Sequence, residues 1–582
     1  MPTLEFKGKP FVYSHHLSVP FKELRIDASK SLPGEGAPTL DDSLIIHGDN
    51  LEALKALLPR YAGQVDVIYI DPPYNTGKDD WRYNDRVNSP LMESWLGSVV
   101  NKEDMERHDK WLCMMWPRLL LLRELLAPHG VMFVSIDDNE LYSLRLMLDE
   151  LFGVENWLGT IVWKNATDNN PTRIAVEHEY ILAVAREASS VAEVWKSKDA
   201  VVRQVLDDIA TELMQQHPRD DDALQRAYTE WFKAHKSELW PLDRYKYIDR
   251  GGVYTGSQSV HNPGREGYRY DIPHPVTGVA TKQPLLGYRF PEETYKNLLA
   301  EGRILFGEDH DKIIELKLYA SEYETKLASV INLDGRLGAY ELRQLFAGRA
   351  LDFKNPKPSA LLESLLSFVA GPQSLVLDSF AGSGTTAQAV LALNKVDGGS
   401  RRFILIETEA YADTLTAERV RRVISGVPEA SDESVRQGLG GRFTYCELGE
   451  EMNLERFFAG DGSAPAWSRL AEYVAYTATG ATLGVAEEGA DGFAGEAGGF
   501  RLHLIYRPDQ AWMRSNDAML DITTAERIAA AAGGKTVLVF AAGKFMAQKA
   551  LTGMGVTFCQ LPYAIHRILG EGTEGVSGVD AA

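Results

Sequence analysis

Val65-Asp66-Val67-Ile68-Tyr69-Ile70 runs directly into Asp71-Pro72-Pro73-Tyr74. The first six residues, mostly β-branched or aromatic, read as a strand buried on both faces, as in a parallel sheet. The two prolines end it, because neither can donate to a ladder. Upstream, residues 44–50 read as a second short strand closing on polar residues. Asn50 is positioned to cap a helix whose apolar face is Leu51, Leu54, Leu57 and Leu58. Downstream, residues 111–126 read as a helix that Pro117 should kink or break and Gly130 should end. Residues 131–136 form the next strand, and Asp137 and Asp138 can cap a helix running to about Leu151. Strands and helices alternating in this way predict a doubly wound α/β fold with a Rossmann-like sheet.

The rhythm breaks and then returns. Residues 186–240 are charged and read as helical; residues 241–310 are rich in Tyr, Gly, Pro and Arg, with turn signals at 262–264 and 277–278. Together, 186–350 is expected to be an inserted domain. A helix restarts at Ser359, followed by a strand at 375–377, a Gly-rich turn, a helix from Thr385 and a strand at 403–406. The predicted organisation is an N-terminal arm (1–40), a first α/β half (41–185), the insertion (186–350), a second α/β half (351–445) and a small C-terminal α/β domain (446–582). In that last domain 479–499 is expected to be flexible, 500–506 and 536–540 to be strands, and the tail from Gly570 disordered.

Three widely spaced cysteines, Cys113, Cys446 and Cys559, offer neither a disulfide framework nor a zinc site and suit a reducing cytoplasm. No stretch approaches the ~20 apolar residues of a membrane span, and the opening residues carry no leader pattern. The net charge of −21 excludes a protein coated in basic residues, so any nucleic-acid contact must use a local positive surface.

Two motifs carry chemistry. An amino group on an aromatic ring is a poor nucleophile, because its lone pair is delocalised. Asp71 and the Pro72 carbonyl, held by the stiff Pro72-Pro73 pair, can accept its N–H bonds and stabilise the positive charge that grows on nitrogen. Tyr74 offers a face for a flat base. The bland alternative is a strand-ending turn. The second motif is Asp378-Ser379-Phe380-Ala381-Gly382-Ser383-Gly384-Thr385-Thr386, between a strand and a helix, where glycines let backbone approach a ligand. No Lys follows Gly384, so it is not a P-loop. A dinucleotide site stays open on this string alone. Glu407, ending the next strand, can accept both hydroxyls of a ribose. Both motifs fall at carboxyl ends of predicted parallel strands, where open α/β sheets bind ligands.

The pair, residues 71–77 and 378–386, resembles the catalytic and S-adenosylmethionine (AdoMet) motifs of β-class amino-methylating DNA methyltransferases. Residues 44–54, the His178-Glu179-Tyr180-Ile181-Leu182 string and residues 355–363 resemble the same class. The layout is most similar to the modification subunit of type III restriction-modification systems, with the insertion standing as a target-recognition domain. The resemblance implies an adenine-N6-specific, site-specific DNA methyltransferase. Asp71, Pro72, Pro73 and Tyr74 would hold the target amine and base. Asp378, Phe380, Gly382, Gly384 and Thr385 would line the AdoMet pocket, and Glu407 would hold its ribose. Lys357 and Pro358 match the last cofactor motif, while His178 and Glu179 match a motif open to a structural or a DNA-contacting role. Asp before Pro-Pro implies adenine rather than cytosine N4.

AdoMet is already electrophilic, so no metal and no covalent nucleophile is expected; Cys113 is better explained as core. The base must leave the duplex. Sequence reading is expected in the insertion, where Tyr245, Lys246, Arg250, Arg265, Arg269, Lys282 and Arg289 interleave with tyrosines, a pattern suited to phosphate contact and stacking; a solvated β surface is the alternative. The implied partners are double-stranded DNA, a second copy of the chain, and a restriction or other defence subunit. N4-cytosine methylation, methylation of an RNA or protein amide, and a catalytically silent DNA-recognition subunit remain open readings.

Overall fold

Ten strands make one sheet, and six of them run side by side in parallel. In the computed structural model they are β1 (Lys22–Ile26), β2 (Leu44–His47), β3 (Val65–Ile70), β4 (Leu126–Ile136), β5 (Trp157–Lys164), β6 (His178–Ala185), β7 (Val330–Asn332), β8 (Leu375–Asp378), β9 (Arg402–Glu407) and β10 (Thr444–Glu451). The order across the sheet is β1-β10-β2-β9-β8-β3-β4-β6-β5-β7. From β10 through β4 every pairing is parallel, whereas β6 pairs antiparallel with both β4 and β5. The structure describes residues 3–34, 36–76, 107–166, 173–197, 201–236, 239, 242–262, 264–346, 351, 353–430, 433–452 and 464–561.

The parallel strands are the apolar runs that the sequence marks. All four residues of β8 and all but the first of β9 are buried, which removes both faces from water. Asp66, the one half-buried residue of β3, accepts from the Leu375 N–H at 2.7 Å and aligns the starts of β3 and β8. The core includes Ile46, Leu54, Ile68, Trp111, Leu122, Val134, Leu377 and Ile404.

Several details differ from expectation. The Asn50–Tyr61 helix is capped by Asp49, whose carboxylate accepts from the N–H groups of Leu51 and Glu52. Asn50 instead donates to the Ser379 carbonyl at 3.0 Å and accepts from Arg118 at 2.6 Å. Asp137 and Asp138 do not cap the next helix, which begins at Leu141 after Glu140. Pro117 lies inside one continuous helix, Arg107–Leu125. The N-terminal arm is not separate, since β1 pairs with β10 at the sheet edge.

The chain divides into two units, residues 1–193 with 328–582, and residues 194–327. The inserted unit is thus shorter than the expected 186–350. Residues 330–332 are drawn into the large sheet beside β5, and Arg186 donates its N–H to Gly130. Within the inserted unit, helices Val201–Gln216 and Asp221–His235 accompany a four-stranded antiparallel sheet of Tyr247–Asp249, Gly252–Ser257, Glu315–Tyr319 and Ile304–Leu305. Leu206, Leu224, Tyr228 and Tyr245 share its core.

A boundary at 446 would fall within β10. Past it, residues 493–497, in the stretch expected to be flexible, form a strand. That strand pairs with Phe500–Leu504 in a four-stranded sheet completed by Val537–Ala541 and Val556–Gln560. The helix Trp467–Thr479 is tied to the Asn50–Tyr61 helix by a 2.8 Å pair between Glu472 and Arg60. The expected disordered tail lies outside the described residues.

Candidate active site

Parallel register brings the two motifs together. Leu377 lies opposite Ile68, so Asp378 closes β8 level with Tyr69, two residues before Asp71. Asp378 likewise sits opposite Leu405 of β9, two residues before Glu407. All three carboxylates therefore stand at the carboxyl ends of three neighbouring strands, β3, β8 and β9. The Asp71 charge is close enough to contribute to the upward shift at Asp378.

The turn after β3 is held at both ends. Trp111, fully buried, donates its indole N–H to the Pro73 carbonyl at 2.6 Å. Asn75 takes φ 57°, a left-handed conformation that a short amide tolerates better than a branched side chain. Its amide donates to Glu140, and His108 Nδ1 lies 2.7 Å from the same carboxylate oxygen. Glu140 is itself fully buried. The Asp71-Pro72-Pro73-Tyr74 backbone is thus preorganised.

At its centre is a charged cluster. Lys357 Nζ lies 2.9 Å from Asp71 Oδ2, 3.2 Å from Glu179 Oε2 and 2.9 Å from Tyr74 Oη. Tyr74 Oη is 2.8 Å from both Asp71 Oδ1 and Glu179 Oε2. Asn165 donates to the other Glu179 oxygen at 2.7 Å. Lys357 Nζ also sits 5.0 Å from the Tyr74 ring centre and 5.6 Å from that of Trp163. The Lys357 side chain is 11% exposed. Burial alone would push its ammonium down, but Asp71 and Glu179 outweigh it and hold the pKa above its ordinary value. Burial first, then the same two carboxylates, raises the Tyr74 phenol well above its usual range, so it stays a donor.

The Gly-rich turn is a second acidic cradle. Asp378 accepts from the Phe380 N–H at 3.0 Å and the Thr386 hydroxyl at 2.6 Å, yet burial pushes its pKa up to about 7. Glu407 accepts from the N–H groups of Gly382 at 2.7 Å and Glu409 at 2.9 Å, and burial raises it to about 7 as well. Gly382 and Gly384 adopt φ 52° and 82°, left-handed values, and Gly384 caps the Thr385–Asp397 helix. A Cβ on Gly382 would come within 3.1 Å of the Phe353 ring, and one on Gly384 within 3.1 Å of the Thr416 carbonyl. Ser379 Oγ is buried there with no hydrogen-bond partner among the described residues. Phe380 is buried beneath the loop, and Pro358 precedes the Ser359–Val369 helix as its N-cap. Thr385 Oγ1 donates to the Lys357 carbonyl at 3.1 Å, joining the cradle to the charged cluster.

Sequence reasoning missed the group that braces this cradle. Arg419 is fully buried; it donates to Ser383 Oγ at 2.8 Å and Thr385 Oγ1 at 2.7 Å and lies 3.4 Å from Glu341. Burial lowers its pKa to about 10, still cationic at neutral pH. In the sequence it lies in Glu418-Arg419-Val420-Arg421-Arg422, which reads as a solvated helix face, and only its spacing from Val420 and Val423 hints otherwise. Asn50 reads as a helix cap and Trp111 as the start of a helix, and neither shows in the sequence as an anchor for these turns.

Of the residues expected to touch DNA, Tyr245 is 2% exposed within the inserted unit's core, which excludes it as a contact. Lys246, Arg250, Arg265, Arg269, Lys282 and Arg289 are exposed. Arg250 is paired with Asp221 at 2.7 Å, and Arg269 donates to the Leu285 carbonyl. A cavity of about 830 Å³ lies elsewhere, at the amino ends of the strands around Ser43, Gln373 and Arg402, and none of the expected site residues lines it.

The chain is thus an α/β protein whose central sheet carries an acidic Pro-Pro turn and a Gly-rich acidic cradle on adjacent strand ends. Residues 65–418, more than half of the chain, match the DNA methylase family of N6 and N4 methyltransferases, and the chain belongs to that family. It is 49% identical over 377 residues to the type III restriction-modification enzyme EcoP15I Mod subunit of Escherichia coli, covering 63% of this chain and 58% of that one. It is 31% identical over 434 residues to the StyLTI Mod subunit of Salmonella typhimurium, covering 68% and 59%. The chain therefore spans less than two thirds of the length of these relatives. The M1.HpyAVI–SAM complex overlaps with a TM-score of 0.28 at 16% identity, covering 65% of this chain and 98% of that one, too loosely to bear on fold or ligand.

Proposed function

We propose that this chain transfers a methyl group from AdoMet to the N6 amino group of a flipped adenine in double-stranded DNA, as the modification component of a restriction-modification system. One observation carries the reading: Asp71, Asp378 and Glu407 stand at the ends of three adjacent parallel strands, within one acidic site. AdoMet supplies a methyl group on a positively charged sulfur, a strong electrophile that needs alignment more than activation.

The residues fit both ligands. AdoMet presents an ammonium, a sulfonium and two ribose hydroxyls, all cations or donors, and the cradle is a set of acceptors. Asp378 faces the methionine end and Glu407 the ribose, while the left-handed glycines leave room for backbone approach. Asp71 and the Pro72 carbonyl accept the two N–H bonds of the target amine, with Tyr74 against the base. As nitrogen bonds to the methyl, positive charge grows on it beside carboxylates already in place, so little reorganisation is needed.

Recognition of sequence is assigned to the inserted unit, residues 194–327, through exposed Lys246, Arg265, Arg269, Lys282 and Arg289. The likeness to type III restriction-modification Mod subunits supports a restriction partner; a second copy of the chain and a cytoplasmic site of action are proposed with it. Adenine specificity is tested by expressing the chain in a host lacking DNA methylation and reading modified bases by long-read sequencing. N6-methyladenine in one sequence context is expected. N4-methylcytosine, or unmodified DNA, would contradict the proposal.

A further inference from the structure

The carboxylate proposed to receive the target amine is already engaged. Asp71 Oδ2 is 2.9 Å from the Lys357 ammonium and Oδ1 is 2.8 Å from the Tyr74 hydroxyl. An incoming amine must compete with those two donors for the orientation and remaining lone pairs of the carboxylate. Releasing the ammonium into a pocket where its side chain is 11% exposed, with nothing opposite it, would be unfavourable.

Each contact that Asp71 makes is duplicated on Glu179. The same ammonium lies 3.2 Å from Glu179 Oε2, and the same hydroxyl lies 2.8 Å from that oxygen. Tyr74 has one proton for two acceptors, so one acceptor can be given up without loss. Glu179 is fixed independently: it sits on β6 opposite Trp163 of β5, and Asn165 holds its other oxygen at 2.7 Å. The duplication leaves Asp71 replaceable as the partner of Lys357 and Tyr74, while Glu179 stays in place.

We infer that Glu179 is a positioning residue that keeps hold of Lys357 and Tyr74 while Asp71 turns to the target amine. This deepens the proposed function and rests on it. It also accounts for charge. Two carboxylates and one ammonium leave the cluster one negative charge in excess, and the amine nitrogen becomes cationic as its lone pair bonds to the methyl carbon and the carbon–sulfur pair leaves with sulfur. The excess charge is matched at that moment, and the nitrogen then passes one proton to the Asp71 carboxylate it is hydrogen-bonded to, and from there to solvent, to regain neutrality. Without the Glu179 charge the cluster is balanced before the reaction begins, and the ammonium clamps Asp71.

The test is single-turnover methyl transfer by the full chain at saturating AdoMet and DNA, with AdoMet affinity measured separately. Glu179→Gln is expected to slow transfer by about 100-fold while AdoMet affinity stays within about twofold. In a Lys357→Gln background, where Asp71 has no ammonium to give up, Glu179→Gln is expected to cost less than about threefold more. Glu179→Asp, which keeps the charge on a shorter arm, should recover at least about a tenth of the wild-type rate, and it stands in for Glu179→Gln should that variant fail to fold. A wild-type rate for Glu179→Gln, or an equal penalty in both backgrounds, overturns the inference. A wild-type chain that methylates no base would overturn the proposed function itself, a result distinct from an active enzyme indifferent to position 179.

Discussion

The indole N–H of Trp111 ends on the carbonyl of Pro73, 2.6 Å away, and so fixes the turn carrying Asp71 to the Arg107–Leu125 helix. Trp111→Phe keeps most of the buried ring and removes only the donor. Leaving that carbonyl without its partner should cost about 1–3 kcal/mol of stability, measurable by urea unfolding. The methyl-transfer rate should fall with AdoMet affinity unchanged, because the turn that loosens is the one proposed to hold the amine. Loss of AdoMet binding with the transfer rate intact would contradict this assignment.

Arg419 braces the other turn. Arg419→Met removes the donor shared by Ser383, Thr385 and the half-buried Glu341, and losing such a charged hydrogen-bonding group costs roughly 1.5–3 kcal/mol, so a drop in melting temperature is expected. Thr385→Val is the gentler probe, since it removes only the hydroxyl that links Arg419 to the Lys357 carbonyl. It should weaken AdoMet binding about five- to tenfold with a small change in melting temperature, as read by calorimetry.

The cradle proposed to hold the cofactor should titrate near neutrality. Burial raises both Asp378 and Glu407 to about 7 in the folded chain, above the unfolded range near 4. The folded state therefore binds more protons than the unfolded state between those values. The stability these two groups contribute is fully present below about pH 4 and is lost as pH rises through 7. AdoMet brings positive charge that favours the ionised acids, so its binding should expel protons. Affinity should rise with pH up to about 7 and then level, and below 7 the heat of binding should depend on the buffer's ionisation enthalpy. Affinity flat from pH 5.5 to 8 would contradict the placement of these acids against the ligand.

The parts of the fold that could be read in advance are those buried on both faces. β3, β8 and β9 are largely apolar runs, and the turns after β3 and β8 carry prolines or glycines that mark the chain's exit from the sheet. Edges wrote no such signal. β1 pairs only at the rim and has two exposed residues, so the N-terminal arm looked separate, and β7 is three residues long inside what read as an insertion. Ambiguous side chains misled in both directions: Tyr245 is as good a core residue as a stacking one, and a buried arginine such as Arg419 is indistinguishable by type from its exposed neighbours. Glu179 was visible as part of a motif, but only the sheet register reveals that it faces Lys357 and Tyr74 across from Asp71.

The most direct test of the central claim, that the amine-holding and cofactor-holding turns serve one reaction, is in vitro methyl transfer by wild type and Asp71→Ala. Each is incubated with unmethylated DNA and AdoMet carrying a labelled methyl, and the DNA is digested to nucleosides for mass spectrometry. The account predicts label on N6-methyldeoxyadenosine from the wild type, and no label from Asp71→Ala, although that variant binds AdoMet as the wild type does. Label appearing at undiminished rate with Asp71→Ala, or on a base other than adenine, would contradict it.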